Sequence, residues 1–409
     1  MPTTTTVELD VAVIGGGIAG LWLINRLLQI GYNAALFESK VLGSDQTIAS
    51  QGMIHGGIKY TLGGAFSGAS EAIADMPQHW SACLRGEGDV DLRKARVLSD
   101  HFYMWSSPGV TSRLSTFLAS KAARGRVEAV KPAQRPAIFR HPGFSGRLYR
   151  LVDLVLDVPS VLAALADNAS GKLFKLNRGR HSWIKTPEGS AELHINPDMG
   201  PHTGELVVKA KRFIFTAGKG NAELLQALGA NQPQMQLRPL RQVMVKHNAP
   251  YAFFGHCLGA DKTPRLTISS HPATEGQIWY LGGNLAEKGA CQSDAEVISR
   301  ARDELTRLLP WVDLGQAQWA ALAIERAEPK QRNLVRPDKA FAEPAQDLDN
   351  VIVAWPTKLT LAPNLAAQVL GLIGDQALKP SGPQVCAAFS ALSPPPIAVP
   401  PWVTAFDGR

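Results

Sequence analysis

The first sixty residues constrain the fold most, because strand, glycine turn, helix, strand and acidic residue follow one another in a fixed order. The apolar, β-branched run at 11–14 predicts a buried strand of a parallel sheet. A glycine-rich turn at 15–20 follows directly, and residues 21–30 carry apolar side chains at helical spacing. A second strand is predicted at 33–37 and ends on Glu38. This order predicts a βαβ unit, which is the context that a dinucleotide-binding motif requires.

The glycines of the turn fit the spacing G-x-G-x-x-G, and each has a physical role in that motif. Gly15 makes the tight turn, Gly17 lets the backbone approach a pyrophosphate, and Gly20 lets the helix pack on the strand. The N-terminus of the helix presents free N–H groups and a positive dipole end to the phosphates. Glu38 is placed to accept a hydrogen bond from a ribose hydroxyl. The alternative is a structural glycine turn, and the motif alone does not separate NAD from FAD.

The segment 47–60 reads Thr-Ile-Ala-Ser-Gln-Gly-Met-Ile-His-Gly-Gly-Ile-Lys-Tyr. It resembles the segment after the second strand in FAD-dependent oxidoreductases of the D-amino-acid oxidase superfamily. Its second half is most similar to the Ile-His-Gly-Gly-Leu-Arg-Tyr sequence of the glycerol-3-phosphate dehydrogenase and L-2-hydroxyglutarate oxidase-like branch. Small residues there allow a close backbone approach to a planar ligand. The resemblance implies that His55 lies near the isoalloxazine and that Lys59 and Tyr60 point towards substrate. A hydrogen-bonded structural histidine is the alternative for His55.

Two later segments extend the resemblance in the family order. A predicted strand ends on Thr-Ala-Gly at 216–218, and small residues at this place pass close to the cofactor in the superfamily. Lys-Leu-Thr at 358–360 is typical of the glycerol-phosphate branch, where this loop approaches the pyrimidine edge of the flavin. A cation and a helix dipole at that edge would stabilise the negative charge that hydride transfer places on the flavin. A surface lysine on a loop is the alternative for Lys358.

The resemblance therefore implies two sets of site residues. The cofactor-binding candidates are Gly15, Gly17, Ile18, Ala19, Gly20, Glu38, Ser39, Ser50, Gln51, Gly52, Ala217, Gly218, Lys358, Leu359 and Thr360. The catalytic candidates are Lys358, His55, Lys59, Tyr60 and Arg336, of which the last has a structural ion pair as its alternative role. The chain departs from the branch in that Pro356 replaces a glycine and Lys59 an arginine, and a histidine of the branch has no clear match, because Met244 lies near its position. These departures argue against glycerol 3-phosphate itself as the substrate.

Charge and cysteine content limit the remaining classes. The net charge is +7, but the basic residues are scattered and no interleaved aromatic series suggests base stacking, so no nucleic-acid partner is expected. The four cysteines lie far apart without a C-x-x-C pair, which predicts no metal site and suits a reducing compartment. Residues 1–7 do not resemble a signal peptide. We expect a cytoplasmic protein, with peripheral contact at the inner face of the membrane left open.

The predicted fold class is α/β, with a Rossmann-type FAD-binding domain interleaved with a mixed-sheet substrate (cap) domain. The FAD-binding domain is expected at 1–75, 150–235 and 345–385, and the substrate domain at 76–149 and 236–344. Residues 386–409 form a Pro-rich tail that is expected to run over the surface. Helices are predicted at 70–84, with Pro77 as a kink or an end, and at 111–123, 157–168 and 294–309, and a strand meander begins at 173–180.

The predicted function is that of an FAD-dependent oxidoreductase. The resemblance implies hydride transfer to flavin from a C–N or C–O carbon of a small anionic substrate, either an amino acid or amine or a 2-hydroxy acid or polyol phosphate. Oxygen, a quinone or another protein would reoxidise the flavin. Two alternatives remain at this stage: an NAD(P)-dependent Rossmann dehydrogenase, and a flavin-binding partner or electron-carrier subunit that oxidises no substrate itself.

Overall fold

The computed structural model describes residues 4–56, 73–106, 127–196, 204–259, 261, 263–332, 337, 339–375 and 387–406. The strands are β1 (Thr5–Ile14), β2 (Ala34–Glu38), β3 (Met53–Ile54), β4 (Val97–Ser99), β5 (Phe102–Ser106), β6 (Val127–Ala129), β7 (Arg147–Leu151), β8 (Leu154–Leu156), β9 (Leu173–Lys175), β10 (His181–Lys185), β11 (Ala191–Ile195), β12 (Leu206–Phe215), β13 (Met235–His247), β14 (Gly255–Leu258), β15 (Leu266–Pro272), β16 (Gln277–Gly282), β17 (Gln318–Pro329), β18 (Phe341–Pro344) and β19 (Val351–Trp355).

The helices are α1 (Ile18–Ile30), α2 (Met76–Arg85), α3 (Val158–Asn168), α4 (Gly220–Ala227), α5 (Asn284–Lys288), α6 (Asp294–Leu308), α7 (Ala362–Asp375) and α8 (Pro401–Thr404). Short 3₁₀ turns lie at Pro132–Gln134, Ala137–Phe139, Leu359–Leu361 and Ala387–Ala391. Within these described ranges, no helix is both long and apolar enough to cross a membrane.

The first sheet contains the predicted βαβ unit. Its parallel strands run in the order β9-β2-β1-β12-β19, and β10, β11 and β18 join it antiparallel. Strand β1 is buried on both faces: Val11 and Val13 pack into one apolar cluster, whereas Ala12 and Ile14 pack into the cluster on the other face. A strand buried on both sides is uniformly apolar, and this explains the continuous run in the sequence.

Turn chemistry sets the ends of the helices that pack on this sheet. Helix α1 ends at Gly31, which has φ +97° and donates its N–H to the carbonyls of Leu27 and Leu28. Helix α3 begins after Asp157, whose carboxylate accepts a hydrogen bond from the N–H of Ser160 at 3.3 Å. The helix predicted to open at this aspartate is thus confirmed.

The second sheet is large and almost entirely antiparallel, in the order β17-β13-β16-β15-β14-β5-β7-β6. The β14–β5 pairing is parallel, so the sheet is mixed, as the fold class predicted. Helix α6 starts in a capping box between Ser293 and Glu296 and buries Val297, Ala301 and Leu305 beneath the sheet. A small third sheet has the order β3-β8-β4. The predicted domain boundaries remain a prediction.

One local prediction is wrong. The strand at Leu173–Lys175 does not start the meander, because it pairs parallel to β2 with Leu173 beside Leu36, which keeps apolar residues together at the far edge of the first sheet. The helix predicted at 70–84 is interrupted next to Pro77, as expected: residues 73–74 are helical, Asp75 is a turn, and Pro77 occupies the first turn of α2, where its missing N–H costs no hydrogen bond. The helix predicted at 111–123 lies outside the described residues.

The C-terminal segment also differs from its prediction, because residues 387–406 pack onto both large sheets. Phe389 is buried against Phe37 and Phe174, with ring centroids 5.4 and 4.7 Å away. The N–H of Leu42 donates to the carbonyl of Pro396 at 2.8 Å, which fixes the path of the segment. Trp402 is only 4% exposed. Proline directs the chain here, but its aromatic side chains supply buried apolar area that a surface tail would lack.

Candidate functional site

A cavity of about 1020 Å³ lies between the first sheet and the second. This volume is at the upper end of the range of about 300–1,000 Å³ that is usual for ligand sites. The cavity has two sides, the Rossmann face on the first sheet and the second-sheet face opposite it. The Rossmann face includes Gly15, Gly17, Glu38, Gln51, Ala217 and Lys358, and the second-sheet face includes Leu240, Gln242, His256, Thr267 and Gly282.

The glycines of the turn have the separate roles that the motif predicts. Gly15 has φ +107°, and a Cβ on it would lie 2.6 Å from the Cα of Ala217. A Cβ on Gly20 would lie 1.9 Å from the carbonyl oxygen of Gly15, so this glycine packs the helix against the strand. A Cβ on Gly17 would meet, among the described atoms, only the Oγ1 of Thr47 within 4 Å, at 3.3 Å. The protein therefore leaves open space on the cavity side of Gly17.

The N-terminus of α1 borders this space. Gly17 is its N-cap residue and supplies no side-chain cap, and the first turn contains no acidic residue. The N–H of Ile18 donates to the Oγ1 of Thr47 at 3.2 Å. A helix end with backbone donors and no competing carboxylate in its first turn favours an anion such as a pyrophosphate.

Glu38 is 7% exposed and lines the cavity at the end of β2. Its two carboxylate oxygens accept hydrogen bonds from the N–H groups of Gly16 and Lys40, each at 2.6 Å. These contacts fix the orientation of the side chain. A carboxylate has about four lone-pair sites, so capacity remains for a hydroxyl donor.

The segment 49–52 is fixed from the second sheet. The hydroxyl of Tyr280 lies 3.0 Å from the carbonyl oxygen of Ala49, and the Nε2 of Gln51 donates to the carbonyl of Tyr280 at 2.7 Å. Gly52 has φ +69°, and a Cβ on it would lie 2.0 Å from the carbonyl oxygen of Leu156. Only glycine fits here, because the backbone passes so close to β8.

The loop after β19 carries the predicted lysine and contains a strained residue. Thr357 has φ +60°, an unfavourable region for a β-branched side chain, and its Oγ1 donates to the carbonyl of Lys339 at 3.1 Å. Lys358 follows and lines the cavity, and its N–H donates to the carbonyl of Pro356 at 2.7 Å. The Oγ1 of Thr360 accepts from the N–H of His55 at 3.3 Å, so the lysine loop and the histidine segment are joined.

A pair of histidines lines the cavity, and one of them is not predicted from the sequence. The rings of His55 and His256 lie 5.3 Å apart between centroids, at an angle of 33°. Phe102 presents its edge to both rings. The Nδ1 of His256 lies 2.8 Å from the Oγ1 of Thr267, which fixes the imidazole, and His256 is 2% exposed. The sequence around His256 contains no motif, so only strand pairing reveals it.

Most predicted site residues line the cavity. They are Gly15, Gly17, Ile18, Ala19, Glu38, Ser39, Ser50, Gln51, Gly52, His55, Ala217, Gly218, Lys358, Leu359 and Thr360. Gly20 packs behind the cavity. Lys59, Tyr60 and Arg336 lie outside the described residues. Besides His256, the cavity is lined by Thr47, Gln242 and Thr267, which were not predicted as site residues, although Thr47 lies in the segment 47–60 that carries the resemblance.

A second cluster, His79, Cys83 and Asp89, brings ligand-type atoms within 4.8 Å of one another. The Asp89 carboxylate already pairs with the His79 ring at 2.7 Å and with the Arg26 guanidinium at 3.3 Å. Burial alone would raise the pKa of Asp89, but the hydrogen bond and charge of His79, with Arg26, lower it. Burial raises the pKa of the Cys83 thiol to about 12, so it remains protonated. These contacts explain the cluster as an ion-pair network beneath α1.

The cavity fits FAD residue by residue. The open side of Gly17 and the helix end would hold the pyrophosphate, and Glu38 would hold a ribose. The segment 49–52 and the loop 358–360 would hold the isoalloxazine. Two glycines in the turn and Gly52 are positions where the backbone geometry admits no side chain, which leaves the shape of this face to main-chain atoms.

Comparison with known proteins agrees with this geometry. Residues 10–355 match the model of a family described as FAD dependent oxidoreductase. The chain is 46% identical over 399 residues to the probable FAD-dependent oxidoreductase PA4991 of Pseudomonas aeruginosa, covering 97% of this chain and 98% of that protein. The crystal structure of the same protein matches with a TM-score of 0.82, covering 99% and 100% of the two chains at 40% identity.

More distant structures share the fold. Glycine oxidase from Geobacillus kaustophilus matches with a TM-score of 0.65 at 16% identity, over 94% of this chain and 98% of that one. L-α-glycerophosphate oxidase from Mycoplasma pneumoniae, whose structure contains FAD, matches with a TM-score of 0.64 at 13% identity, over 90% and 95%. The predicted relationship to the D-amino-acid oxidase superfamily is confirmed, and FAD rather than NAD(P) is the cofactor. The chain belongs to the family of FAD-dependent oxidoreductases, and it is an enzyme of that class.

Proposed function

We propose that this enzyme oxidises a small anionic substrate by hydride transfer from a carbon that bears oxygen or nitrogen. Of these two cases, we propose the carbon that bears a hydroxyl oxygen; this is the oxygen case. The observation that supports the oxygen case is the pair of imidazoles, His55 and His256, which lines the cavity together with Lys358. FAD, when bound, accepts the hydride and so supplies the redox chemistry.

The oxygen and nitrogen cases differ in whether a proton must leave the substrate during the hydride step. Oxidation of a hydroxyl-bearing carbon to a carbonyl removes a hydride from carbon and a proton from oxygen. An alcohol is a very weak acid, so a positioned base speeds this step by about 10²–10⁴-fold. A neutral amine needs no base in the hydride step itself, because its nitrogen lone pair stabilises the iminium product, although an ammonium group must lose its proton beforehand. On the second-sheet face, the imidazole of His256 is the candidate to accept the proton of the hydroxyl, and Thr267 holds its ring in place.

The anionic character of the substrate rests on charge. Lys358 lines the cavity beside the histidine segment, and the whole chain carries a net charge of +7. Lys59, Tyr60 and Arg336 are further candidates to bind a carboxylate or a phosphate, proposed from the sequence alone. Peripheral contact with a membrane surface stays an open prediction of the sequence, which also leaves oxygen, a quinone and another protein open as electron acceptors.

The experiment is anaerobic mixing of the yellow enzyme with separate pools of 2-hydroxy acids, polyol phosphates and amino acids. Loss of the visible flavin absorbance by a hydroxyl-bearing pool supports the proposal. In that case His55→Ala or His256→Ala should slow reduction by about 10²–10⁴-fold and remove the solvent isotope effect. His141→Ala, a variant of an exposed histidine away from the cavity, is the matched control.

The other outcomes are equally informative. Bleaching by amino acids alone would contradict the oxygen case and leave hydride transfer from a C–N carbon. A yellow protein that no pool bleaches would contradict the proposed substrate classes altogether.

A further inference from the structure

The C-terminal helix α8 packs against the face of the second sheet where residues of the cavity wall are anchored. Trp402 belongs to an apolar cluster that contains Met244, Ile278 and Tyr280. Its ring stacks on His271 with a centroid distance of 3.8 Å and an angle of 22°. The ring of Tyr280 lies 5.5 Å from the same indole.

The two rings that Trp402 covers, of His271 and Tyr280, are connected to residues of the cavity wall by hydrogen bonds. The Nε2 of His271 lies 3.0 Å from the Oγ of Ser269, which in turn lies 3.4 Å from the Nε2 of Gln51. The hydroxyl of Tyr280 lies 3.0 Å from the carbonyl oxygen of Ala49 and 2.7 Å from the Oε1 of Gln242 on β13. Both routes end in residues that line the cavity, on the segment 49–52 and on β13.

Burial makes these contacts depend on the indole that covers them. His271 is 3% exposed, and Ser269 and Tyr280 are fully buried. Burial lowers the pKa of His271 to about 3, so the ring is neutral and its hydrogen bond to Ser269 involves no charge. Loss of the indole would admit water to the imidazole and to the face of Tyr280, and water would then compete for the hydrogen bonds that orient Gln51.

We propose that Trp402 is a positioning residue for the flavin site: through His271 and Ser269, and through Tyr280, it holds the segment 49–52 in the position that contacts the isoalloxazine. This inference rests on the proposed contact between Gln51 and the flavin. It assigns the C-terminal segment a role in cofactor binding, in addition to its packing.

The test measures FAD affinity for the apoprotein together with the visible spectrum and midpoint potential of the bound flavin. Trp402→Ala should weaken FAD binding about tenfold, the effect of one lost hydrogen bond, and shift the spectrum. Trp402→Phe retains a ring over His271 and should restore binding to within about twofold. His271→Phe keeps a ring for stacking but removes Nε2, and it should weaken FAD as Trp402→Ala does. This variant keeps the test open if Trp402→Ala does not fold.

The control separates positioning from stability. Trp311→Ala removes another indole that packs on the second sheet, away from the cavity lining, and should lower thermal stability without changing FAD affinity or spectrum. The double variant of Trp402→Ala and Gln51→Leu should weaken FAD binding by less than the sum of the two single losses, because the route through His271 and Ser269 ends on Gln51.

Three results would overturn the inference. The first is wild-type FAD affinity and spectrum in both Trp402→Ala and His271→Phe, together with weaker FAD binding in Gln51→Leu. In that case the role of Trp402 is refuted, while the proposed contact between Gln51 and the flavin stands. Additive losses in the double variant would show that the two residues act independently. Unchanged FAD affinity and spectrum in Gln51→Leu would refute the flavin contact itself, and this inference with it.

Discussion

The two faces of the cavity are built in different ways. On the Rossmann face and directly behind it, the backbone at Gly15, Gly20 and Gly52 admits no side chain, and much of the face comes from the short stretch 15–55. The second-sheet face consists of single side chains on separate strands, such as Gln242 on β13, His256 on β14 and Thr267 on β15. The first face needs the absence of side chains at particular positions, and the second needs particular side chains brought together by strand pairing.

This difference separates cofactor from substrate. Main-chain N–H groups and glycine turns recognise a phosphate and a planar ring, which are the same in every relative that binds FAD. Side chains on paired strands can change one at a time without disturbing the sheet. We therefore predict that changes at the glycines of the Rossmann face affect folding or flavin binding. Changes to side chains on the second-sheet face, and to Lys358 and His55, should alter the reaction.

The largest effect is expected from Gly20→Val. A Cβ at this position would lie 1.9 Å from a backbone oxygen that cannot move away without displacing β1. We expect a loss of more than about 4 kcal/mol of unfolding free energy, so that little folded protein accumulates. Urea unfolding of the purified variant measures this. A variant that folded with wild-type stability would show that the contact between helix and strand is looser than the geometry indicates.

The next largest effect is expected from Lys358→Met, which tests whether charge on the Rossmann face contributes to the reaction as well as to binding. Removal of one electrostatic stabiliser typically slows a reaction by about 10²–10³-fold. We expect flavin reduction to slow by that amount while FAD remains bound, measured by stopped-flow absorbance. Lys330→Met, at an exposed lysine outside the cavity, is the control. Unchanged reduction would remove Lys358 from the mechanism.

The same contrast explains what the sequence could predict. The βαβ unit, the glycine turn and Glu38 were predictable because a local order of residues specifies them, and all three line or support the cavity. The ends of α3 and α6 were predictable because capping is local. His256 was not, because its place beside His55 depends on the pairing of β14 with β5 and β15, between residues far apart in the chain.

The errors have the same origin. Strand β9 contains a short apolar run that fits either edge of the first sheet, and the register with β2 is decided by packing. The C-terminal segment was expected on the surface because proline dominates its composition. Its buried Phe389 and Trp402 find partners only once the sheets exist. Composition describes the backbone of such a segment better than it describes where its few aromatic residues pack.

Gly17→Val should have a smaller effect than Gly20→Val, and it should lower FAD affinity rather than the stability of the fold. A Cβ here would meet only the Oγ1 of Thr47 among the described atoms, at 3.3 Å, and a small shift of that side chain relieves the contact, so the apoprotein should unfold within about 1 kcal/mol of wild type. The new side chain would occupy the pyrophosphate side of the turn, and FAD affinity should fall at least about 100-fold, or about 2.7 kcal/mol. Equilibrium titration of apoprotein with FAD measures the loss. Gly371→Val, at an open helical position on α7, is the matched control.

A retained flavin in Gly17→Val would break the comparison. It would mean that the cofactor does not approach the backbone at this glycine. Loss of folding in the same variant would equally contradict the division of roles between Gly17 and Gly20, since it would give both glycines a packing function.

The smallest effect is expected from the first pH unit of acid below about pH 6.5, which should weaken the second sheet before the first. The buried histidines of the described chain, His247, His256 and His271, all lie in the second sheet. Burial lowers the pKa of His247 to about 4 and that of His271 to about 3. Both values lie below about 6.5, the value in an unfolded chain, so at intermediate pH the unfolded state binds more protons than the folded state.

The stability that these two histidines contribute is therefore complete above about pH 6.5 and is lost as the pH falls towards 4 for His247 and 3 for His271. Each should lower the unfolding free energy by about 1.4 kcal/mol per pH unit within that window. Urea titrations across the range, in wild type and in His247→Phe and His271→Phe, isolate each contribution, because all other groups titrate alike in the three proteins. Hydrogen exchange should show faster opening of β13, β15 and β16 than of β1 and β12. Equal acceleration in both sheets would mean that the two faces of the cavity unfold as one unit, and that the difference between them is chemical rather than energetic.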